Sequence, residues 1–227
     1  MPRILLFDID GTLLKTAGAG RGAMTIAFER EFGVASVTEG ILFDGRTDRG
    51  IFHECLERHG FGGEELLPNF TRFASRYLEH FPGSLAERGG VVLPGVVELL
   101  DALAGTDAIV GLATGNLRLG AEHKLRHFGL WDRFAGGGFG DDHTVRADLV
   151  TAGIAEMEAT FGLAAGASEV VVLGDTPLDV EAAHLAGAKA LGVGTGRFTP
   201  KQLTECGAEF AVEDLSDTAR VMEMLLG

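Results

Sequence analysis

The sequence of 227 residues is poor in cysteine and has no long apolar run, and both shortages limit what the protein can be. Its two cysteines, Cys55 and Cys206, lie far apart, and neither has a second cysteine or a paired histidine at metal-site spacing. They predict isolated thiols in a reducing compartment. No apolar run is long enough to span a membrane, and Asp8 interrupts the short N-terminal run, which therefore does not fit a signal peptide. We expect a soluble, cytoplasmic protein that does not bind membranes.

Positive charge is also scarce. Lysine and arginine number 19 against 33 aspartate and glutamate residues, so the formal net charge is −14. A nucleic-acid surface would require a basic patch, so nucleic acid is excluded as a partner. Apolar residues are abundant at 46%, enough for a sizeable core. The length suits one large domain, or a core with a smaller inserted domain.

The first strand and the second half of the chain predict an α/β core. The apolar run Arg3–Phe7 predicts a buried strand. From Val91 onward, apolar strands alternate with helical segments, which predicts a parallel sheet with helices on both faces. We therefore expect a Rossmann-like α/β core domain made of residues 1–15 and 89–227.

Between these parts, residues 16–88 carry helical spacing and no convincing strand. Apolar residues recur on one helical face after Met24, after Asp48 and after Leu67, which predicts three helices. The third is expected to stop at Pro82 and Gly83. We expect this segment to be an inserted all-helical cap domain.

Two aspartates follow the first predicted strand, in a place where ligands bind parallel sheets. Asp8 and Asp10 are two residues apart, so an extended backbone directs both carboxylates into one pocket. The alternative is a turn whose aspartates cap backbone N–H groups. Gly11 comes next, and a glycine allows the backbone to approach a ligand closely.

A second pair of aspartates, Asp175 and Asp179, follows the apolar run 170–173. Two carboxylate pairs at neighbouring strand ends repel each other unless a cation lies between them. Since the chain has few lysines, a hard divalent cation with oxygen ligands is the simplest answer, and Mg²⁺ fits best. Asp179 also suits a cap for the following helix, and both roles can coexist.

A third polar cluster, Thr114, Gly115 and Asn116, follows another predicted strand. A hydroxyl, an exposed N–H and an amide before a helix start form an anion-binding end. Simple N-capping by Thr114 or Asn116 is the alternative.

Together these motifs resemble those of the haloacid-dehalogenase-like (HAD) hydrolases. The motifs read DIDGT, GLATGN and GDTPLD, and the segments LPGVVELLDAL and AHLAGAKALGVGTG extend the resemblance over nearly the whole chain. The chain is most similar to the branch with a helical cap after the first strand, which includes phosphoglycolate-phosphatase-like enzymes and β-phosphoglucomutase.

This resemblance implies a role for each matching aspartate. Asp8 would attack phosphorus and form an aspartyl-phosphate. Asp10 would protonate the leaving group and then activate the hydrolytic water. Mg²⁺ would be held by the Asp8 carboxylate, the Asp10 backbone carbonyl and Asp175. Asp179 would help to hold the water shell of the metal.

The resemblance also implies how the phosphate is held. Thr114 and the N–H of Gly115 would bind the transferring phosphoryl oxygens, with Gly11 and Asn116 as further substrate-binding residues. Such binding matters because phosphoryl transfer depends on positioning and charge neutralisation.

The chain departs from the family pattern at the third motif, which usually supplies a lysine. The one lysine between Asn116 and Asp175 is Lys124, which lies inside the helix after Thr114 and is expected to face away. We assign the cationic role to Arg146 instead, although arginine and lysine are not interchangeable.

The assignment of the cationic role to Arg146 leaves two alternatives open. Arg146 could pair at the surface with Asp142 or Asp148, and His143 could contribute to the site, although a loop histidine is more often solvated.

Substrate specificity would come from the cap. In the segment 42–50, Arg46 is the candidate that meets an anionic or polyhydroxy substrate, with helix capping by Thr47 or Asp48 as the alternative. Arg21 is a second candidate. The stretch KTAGAG after the first motif suits a hinge between cap and core.

The expected function is Mg²⁺-dependent hydrolysis of a small-molecule phosphate monoester by a phosphoglycolate-phosphatase-like enzyme, a monomer or homodimer. A phosphosugar mutase of the same family stays open, and a non-catalytic HAD-like binding protein is a weaker alternative. A phosphonatase would need a cap lysine, and the chain has none between Lys15 and Lys124. A metal-dependent glycosyltransferase also carries a DxD motif, but there the motif lies in mid-chain, so its position at residue 8 argues against that class.

Overall fold

The computed structural model describes residues 2–227, and its strands form a six-stranded parallel sheet and a short antiparallel pair. In chain order the strands are β1 (Arg3–Phe7), β2 (Leu14–Lys15), β3 (Val91–Val92), β4 (Ile109–Ala113), β5 (Gly137–Gly138), β6 (Glu169–Gly174), β7 (Lys189–Val193) and β8 (Phe210–Val212). The order in the large sheet is β5-β4-β1-β6-β7-β8. The first strand of the chain therefore lies between β4 and β6.

Helices connect these strands and cover the sheet. They are α1 (Ala19–Phe32), α2 (Asp48–Arg58), α3 (Leu66–Arg88), α4 (Val96–Leu103), α5 (Arg118–His127), α6 (Arg146–Thr160), α7 (Pro177–Leu185), α8 (Pro200–Glu205) and α9 (Thr218–Leu226). Short 3₁₀ turns lie at Gly63–Glu65 and Trp131–Arg133.

Strand β1 shows why the sheet is buried on both faces. Leu5 and Phe7 belong to one apolar cluster, with residues of α4, α5 and α9. Ile4 and Leu6 belong to another, with residues of α6 and α7. Because successive side chains of a strand point to opposite faces, a continuous apolar strand needs helices on both sides. This arrangement confirms the predicted α/β Rossmann-like fold.

Helices α1, α2 and α3 pack around their own apolar cluster. Its centre is aromatic: the ring centroids of Phe52 and Phe73 are 4.5 Å apart, and those of Phe28 and Phe73 are 4.9 Å apart. Leu117, which precedes α5, joins this cluster and ties it to the sheet. The chain passes from the sheet into the helical unit through β2 and returns through β3, and these two short strands pair with each other. The division into domains at 16–88 stays a prediction.

The expected helix stop at Pro82 is wrong, because α3 continues through this residue to Arg88. A proline inside a helix costs about 3 kcal/mol, since it removes one backbone hydrogen bond. Tertiary packing offsets the loss: Phe81 and Leu85 are buried in the helical cluster, and the Ser84 hydroxyl donates to the Ala19 carbonyl at 2.9 Å. Pro82 itself lies on the exposed side of the helix.

Among residues 2–227, no helix combines the length and the apolar character that crossing a membrane requires.

Candidate active site

The site lies at the carboxyl ends of three adjacent parallel strands. Asp8 directly follows β1, Thr114 follows β4 and Asp175 follows β6. Since β1 pairs with both β4 and β6, these ends meet at one edge of the sheet. The N–H of Asp8 continues the ladder to the Leu173 carbonyl at 2.9 Å, which fixes the start of the loop.

A buried arginine joins two of the carboxylates. Nη2 of Arg146 lies 2.8 Å from Oδ1 of Asp8 and 2.6 Å from Oδ1 of Asp179. Nη1 donates to the Gly45 carbonyl at 3.0 Å, so this side chain also contacts the helical unit. Arg146 is the first residue of α6 and is only 8% exposed. It does not form the surface pair with Asp142 or Asp148 that the sequence left open.

Three carboxylates form a compact cluster. Asp8, Asp175 and Asp179 each place one oxygen within 4.8 Å of the oxygens of the other two, and all three residues are buried. Asp179 also caps α7, because its Oδ2 accepts from the Thr176 N–H at 3.0 Å and from the Thr176 hydroxyl at 2.7 Å. Its Oδ1 has no aligned hydrogen-bond donor among the described residues, despite the nearby guanidinium. The cap and cluster roles therefore coexist in one side chain.

Burial of several acids together shifts their titration. Burial, followed by the charges of Asp179 and Asp10, raises the pKa of Asp8 to about 6 against the opposing effect of Arg146. Burial, followed by Asp179 and Asp8, raises the pKa of Asp175 to about 8. Burial alone lowers the pKa of Arg146, but the neighbouring carboxylates outweigh this effect and raise that pKa above its usual range. One guanidinium does not fully compensate three carboxylates.

The loop after β1 is fitted closely to Asp175. Gly11 has a φ of +86°, and a Cβ there would lie 2.3 Å from Oδ2 of Asp175. The glycine is thus required by the backbone conformation and by the neighbouring carboxylate. From the other side, a Cβ at Gly196 would lie 1.6 Å from the same oxygen. Asp175 consequently occupies a slot between two loops.

The loop after β4 is organised by Asn116. Its Nδ2 donates to the Thr114 hydroxyl at 2.7 Å and to Oδ2 of Asp10 at 2.8 Å. Thr114 is fully buried, whereas Gly115 and Asn116 line the cavity. The structure therefore brings Asn116 to the second aspartate of the first motif.

Lys124 also reaches this place, and the expectation that it faces away is wrong. Its Nζ pairs with Oδ2 of Asp10 and donates to Oδ1 of Asn116 at 2.5 Å. The side chain of Lys124 is 5% exposed, while that of Asp10 is 45% exposed. Helix α5 turns its buried face toward the site, so a residue inside the helix contacts the first motif.

Residues 44–50 of the helical unit dock on the loop after β4. The N–H of Asp48 donates to the Gly115 carbonyl at 2.6 Å, and Oδ2 of Asp48 accepts from the Leu117 N–H at 2.9 Å. A Cβ at Gly115 would lie 2.2 Å from the Arg46 carbonyl oxygen, so a glycine is needed for this close approach. Arg49 reaches the Asp141 carbonyl at 2.6 Å. The helical unit is therefore closed over the sheet edge.

Both arginines that were candidates for substrate binding are engaged within the helical unit. The guanidinium of Arg46 pairs with Glu54, although the residue lines the cavity. Arg21 donates to the carbonyls of Thr38 and Ile41 and stacks 4.1 Å from the centre of the Phe43 ring. Neither guanidinium lacks a partner.

A cavity of about 390 Å³ lies between the helical unit and the sheet edge. Polar and charged groups of the sheet edge line its floor, and the helical unit contributes aromatic and apolar side chains together with charged ones. The residues of the floor that matter here are Asp8, Asp10, Asn116, Lys124, Arg146 and Asp175; the aromatic and apolar ones of the helical unit are Met24, Phe43, Ile51 and Tyr77.

Comparison with known proteins assigns the family. The family model for a haloacid dehalogenase-like hydrolase matches residues 5–193. The chain belongs to the haloacid dehalogenase-like hydrolases. This match confirms the resemblance seen in the motifs and the expectation of a hydrolase.

Relatives within this family include phosphatases. One relative is "Probable phosphatase IndB" of Dickeya dadantii, to which the chain is 29% identical over 235 residues. The match covers 100% of this chain and 96% of the relative. The chain is 26% identical to a phosphoglycolate phosphatase of Agrobacterium fabrum, over 94% of this chain and 89% of the relative. Both names support phosphatase activity.

Solved structures agree with the fold of a HAD protein. A hydrolase from Pseudomonas syringae has a TM-score of 0.70 at 19% identity, covering 99% of this chain and 100% of that chain. CbbY from Rhodobacter sphaeroides, solved in complex with phosphate, has a TM-score of 0.64 at 20% identity, covering 96% of each chain.

Sequence reasoning missed the position of Lys124 in this HAD site, although a signal for it exists. Leu117, Ala121 and Leu125 form the buried side of α5 and its entry, and Lys124 falls on the same stripe. A lysine on an apolar stripe is buried, and a buried charge requires a partner. Asp48 and Tyr77 were also missed as lining residues of the cavity.

Proposed function

We propose that the chain is a Mg²⁺-dependent phosphatase that hydrolyses a small-molecule phosphate monoester through an aspartyl-phosphate. The observation that carries this proposal is the environment of Asp8. Its carboxylate lies at the strand end beside the cavity, with Oδ1 held by Arg146 at 2.8 Å and with Asp175 and Asp179 adjacent. A carboxylate oriented by one oxygen presents its other oxygen to an incoming electrophile.

In the first step, the second oxygen of Asp8 attacks phosphorus and the bond to the ester oxygen breaks. Arg146 stays with the nucleophile and attracts the phosphoryl oxygens, because phosphoryl transfer depends mainly on charge stabilisation and positioning. The departing oxygen takes its proton from Asp10, whose side chain lines the same cavity.

In the second step, water attacks the phosphorus of the aspartyl-phosphate and restores Asp8. Asp10, now ionised, accepts the proton of that water. The N–H of Gly115 borders the cavity and is suited to hold a phosphoryl oxygen. The side-chain amide of Asn116 borders it too, but both of its N–H groups are engaged by Thr114 and Asp10, so its role is to order this loop. Thr114 supports this loop through the hydrogen bond that its hydroxyl accepts from Asn116.

The acidic cluster fits a bound Mg²⁺. Oδ1 of Asp179 is buried without an aligned donor, and three buried carboxylates share one guanidinium, so the cluster has the acceptors and the uncompensated charge that a hard cation satisfies. Asp8, Asp175 and the backbone carbonyl of Asp10 would hold the ion, with Asp179 beside them. Mg²⁺ bound there would neutralise the acids and the phosphate.

The cavity limits the substrate to a small ester. Its volume of about 390 Å³ must contain the phosphoryl group and the leaving group together. The relative named phosphoglycolate phosphatase makes phosphoglycolate the first compound to test. The pairing of Arg46 with Glu54 reduces its value as an anion-binding residue unless the substrate displaces Glu54.

A screen of phosphate esters tests the proposal. We expect Mg²⁺-dependent release of phosphate from at least one small ester, and loss of turnover in Asp8→Asn or after chelation. Activity that survives both changes would contradict the mechanism. Assay of hexose phosphates for isomerised products in the same screen separates the phosphatase from a phosphosugar mutase.

A further inference from the structure

We propose that Lys124 is a positioning residue that holds Asp10 in the orientation needed for proton transfer. The inference rests on the proposed function, because Asp10 is the acid–base group there. It assigns a second cation to the site, in addition to Arg146.

Contacts among Lys124, Asn116 and Asp10 form a closed ring. Nζ of Lys124 pairs with Oδ2 of Asp10 and donates to Oδ1 of Asn116 at 2.5 Å. Nδ2 of Asn116 donates to the same Oδ2 of Asp10 at 2.8 Å. Two donors therefore converge on one oxygen. Oδ1 of Asp10 has no hydrogen-bond partner among residues 2–227, so it is the oxygen available to a substrate.

Asp10 needs such support. Its side chain is 45% exposed at the cavity, and an exposed carboxylate would otherwise sample several rotamers. Lys124 and Asn116 are both nearly buried, with residue exposures of 4% and 6%. The buried partners thus lie behind the acid, and its exposed part faces the cavity.

Packing alone does not account for a lysine at this position. Lys124 shares a stripe with Ala121 and Leu125, and its ammonium lies 5.8 Å from the centre of the Phe81 ring. An apolar side chain would fill this volume without the cost of burying a charge. The ammonium meets the one acid of the first motif that Arg146 does not contact. Each aspartate of that motif therefore has its own cation, from a different helix.

Leaving-group dependence measures this role. Phenyl phosphate and p-nitrophenyl phosphate have nearly the same shape, but the phenyl ester depends more on a proton donor because its leaving group is more basic. In Lys124→Met, we expect kcat/KM for phenyl phosphate to fall at least about tenfold more than kcat/KM for p-nitrophenyl phosphate. Lys124→Arg should recover part of the difference. kcat/KM reports the steps up to formation of the aspartyl-phosphate, so later hydrolysis does not obscure the comparison.

Two further variants complete the test. Lys189→Met removes an ion pair with Glu169 at the opposite end of the sheet, so both esters should keep wild-type values. Lys124→Gln is polar but uncharged and shorter, and it serves if the methionine variant does not fold. Because it also removes the cation from Asp10, it should show a selective loss for the phenyl ester in the same direction.

An equal loss for both esters, or no loss for either, would overturn the positioning role. Absence of Asp8-dependent turnover in the wild-type protein would instead overturn the proposed function, and this inference with it.

Discussion

Arg146 and Asp8 form a buried ion pair, with 2.8 Å between Nη2 and Oδ1, at the point where the first strand ends. The same nitrogen lies 2.6 Å from Oδ1 of Asp179. Removal of one partner of a buried pair leaves an uncompensated charge, which typically costs about 3–5 kcal/mol. The same ion pair therefore stabilises the folded site and fixes the orientation of the nucleophile Asp8.

Replacement of Arg146 tests this link. We expect Arg146→Ala to lower kcat/KM by about 100- to 1000-fold, because a fixed cation next to the reacting group is lost. Arg146→Lys keeps the charge but loses contacts to Asp8, Asp179 or Gly45, so an intermediate rate is expected. Steady-state kinetics of purified, folded variants check the order. Near-normal turnover in the alanine variant would show that another group neutralises Asp8.

Mg²⁺ should stabilise the protein against heat. Binding to the folded state alone adds about 2.7 kcal/mol when the ion is at a hundredfold excess over its Kd. For a chain of this size, such a gain raises Tm by about 5–10 °C. Asp175→Asn should remove most of the shift, since it takes one acid from the cluster. A shift of equal size in both proteins would place the ion elsewhere.

The pH dependence of this effect has a defined sign. Carboxyl groups of an unfolded chain titrate near pH 4, whereas burial, followed by neighbouring acids, raises the pKa of Asp8 to about 6 and that of Asp175 to about 8. Between about pH 4 and pH 8, the folded metal-free protein thus binds more protons than the unfolded chain. The contribution of these two acids to the free energy of unfolding of the metal-free protein therefore falls as pH rises.

Mg²⁺ displaces those protons, so its binding strengthens over the same interval. Thermal melts from about pH 5.5 to 8.5 should show a growing Mg²⁺-induced Tm shift. A shift that shrinks toward alkaline pH would contradict the assignment of the buried acids.

Docking of residues 44–50 on the loop after β4 depends on Gly115. A Cβ there would lie 2.2 Å from the Arg46 carbonyl oxygen, so Gly115→Ala should prevent full closure of the helical unit. We expect kcat/KM to fall at least about tenfold, because displacement of groups by about 1 Å can cost a hundredfold. Gly105→Ala is the matched control, since its Cβ would have an ordinary 3.5 Å contact with the Ala102 carbonyl. Equal kinetics in both variants would argue against a catalytic need for closure.

Pro82 offers a prediction about stability. It lies inside α3 on the exposed side, without the N–H that completes the helix ladder. Pro82→Ala should restore that donor and raise the free energy of unfolding by about 1–2 kcal/mol, after allowance for the greater freedom of the unfolded chain. Denaturant unfolding measures the change. A destabilised variant would show that the local bend at Pro82 is required by the packing of α3.

Much of the site could be predicted because strand ends have fixed positions. Asp8, Thr114 and Asp175 follow apolar strands, and parallel strands bring their carboxyl ends to one edge. The assignment of Arg146 has a different basis: the family resemblance implies a cation between the second and fourth motifs, and Arg146 stands at the matching place, where the structure has the start of α6. The strand-end positions themselves follow from topology and period, which the sequence records directly.

The remaining features depend on how helices are rotated and which partners their long side chains choose. The stripe that contains Lys124 indicates burial, but only the packing of α5 shows that this stripe meets Asp10. The sequence suggests Arg46 for substrate contact and Thr47 or Asp48 for helix capping; in the structure Arg46 pairs with Glu54, and the Thr47 side chain caps α2. Helix α3 continues past Pro82 because buried neighbours outweigh a local signal.

In the proposed mechanism, Asp8 carries the phosphoryl group during turnover. Acid quench during steady-state hydrolysis, followed by mass spectrometry of peptides, measures this directly. We expect one added phosphoryl group on the peptide containing Asp8, sensitive to hydroxylamine and absent in Asp8→Asn. Rapid turnover with phosphate on another residue, or an active Asp8→Asn variant, would contradict it.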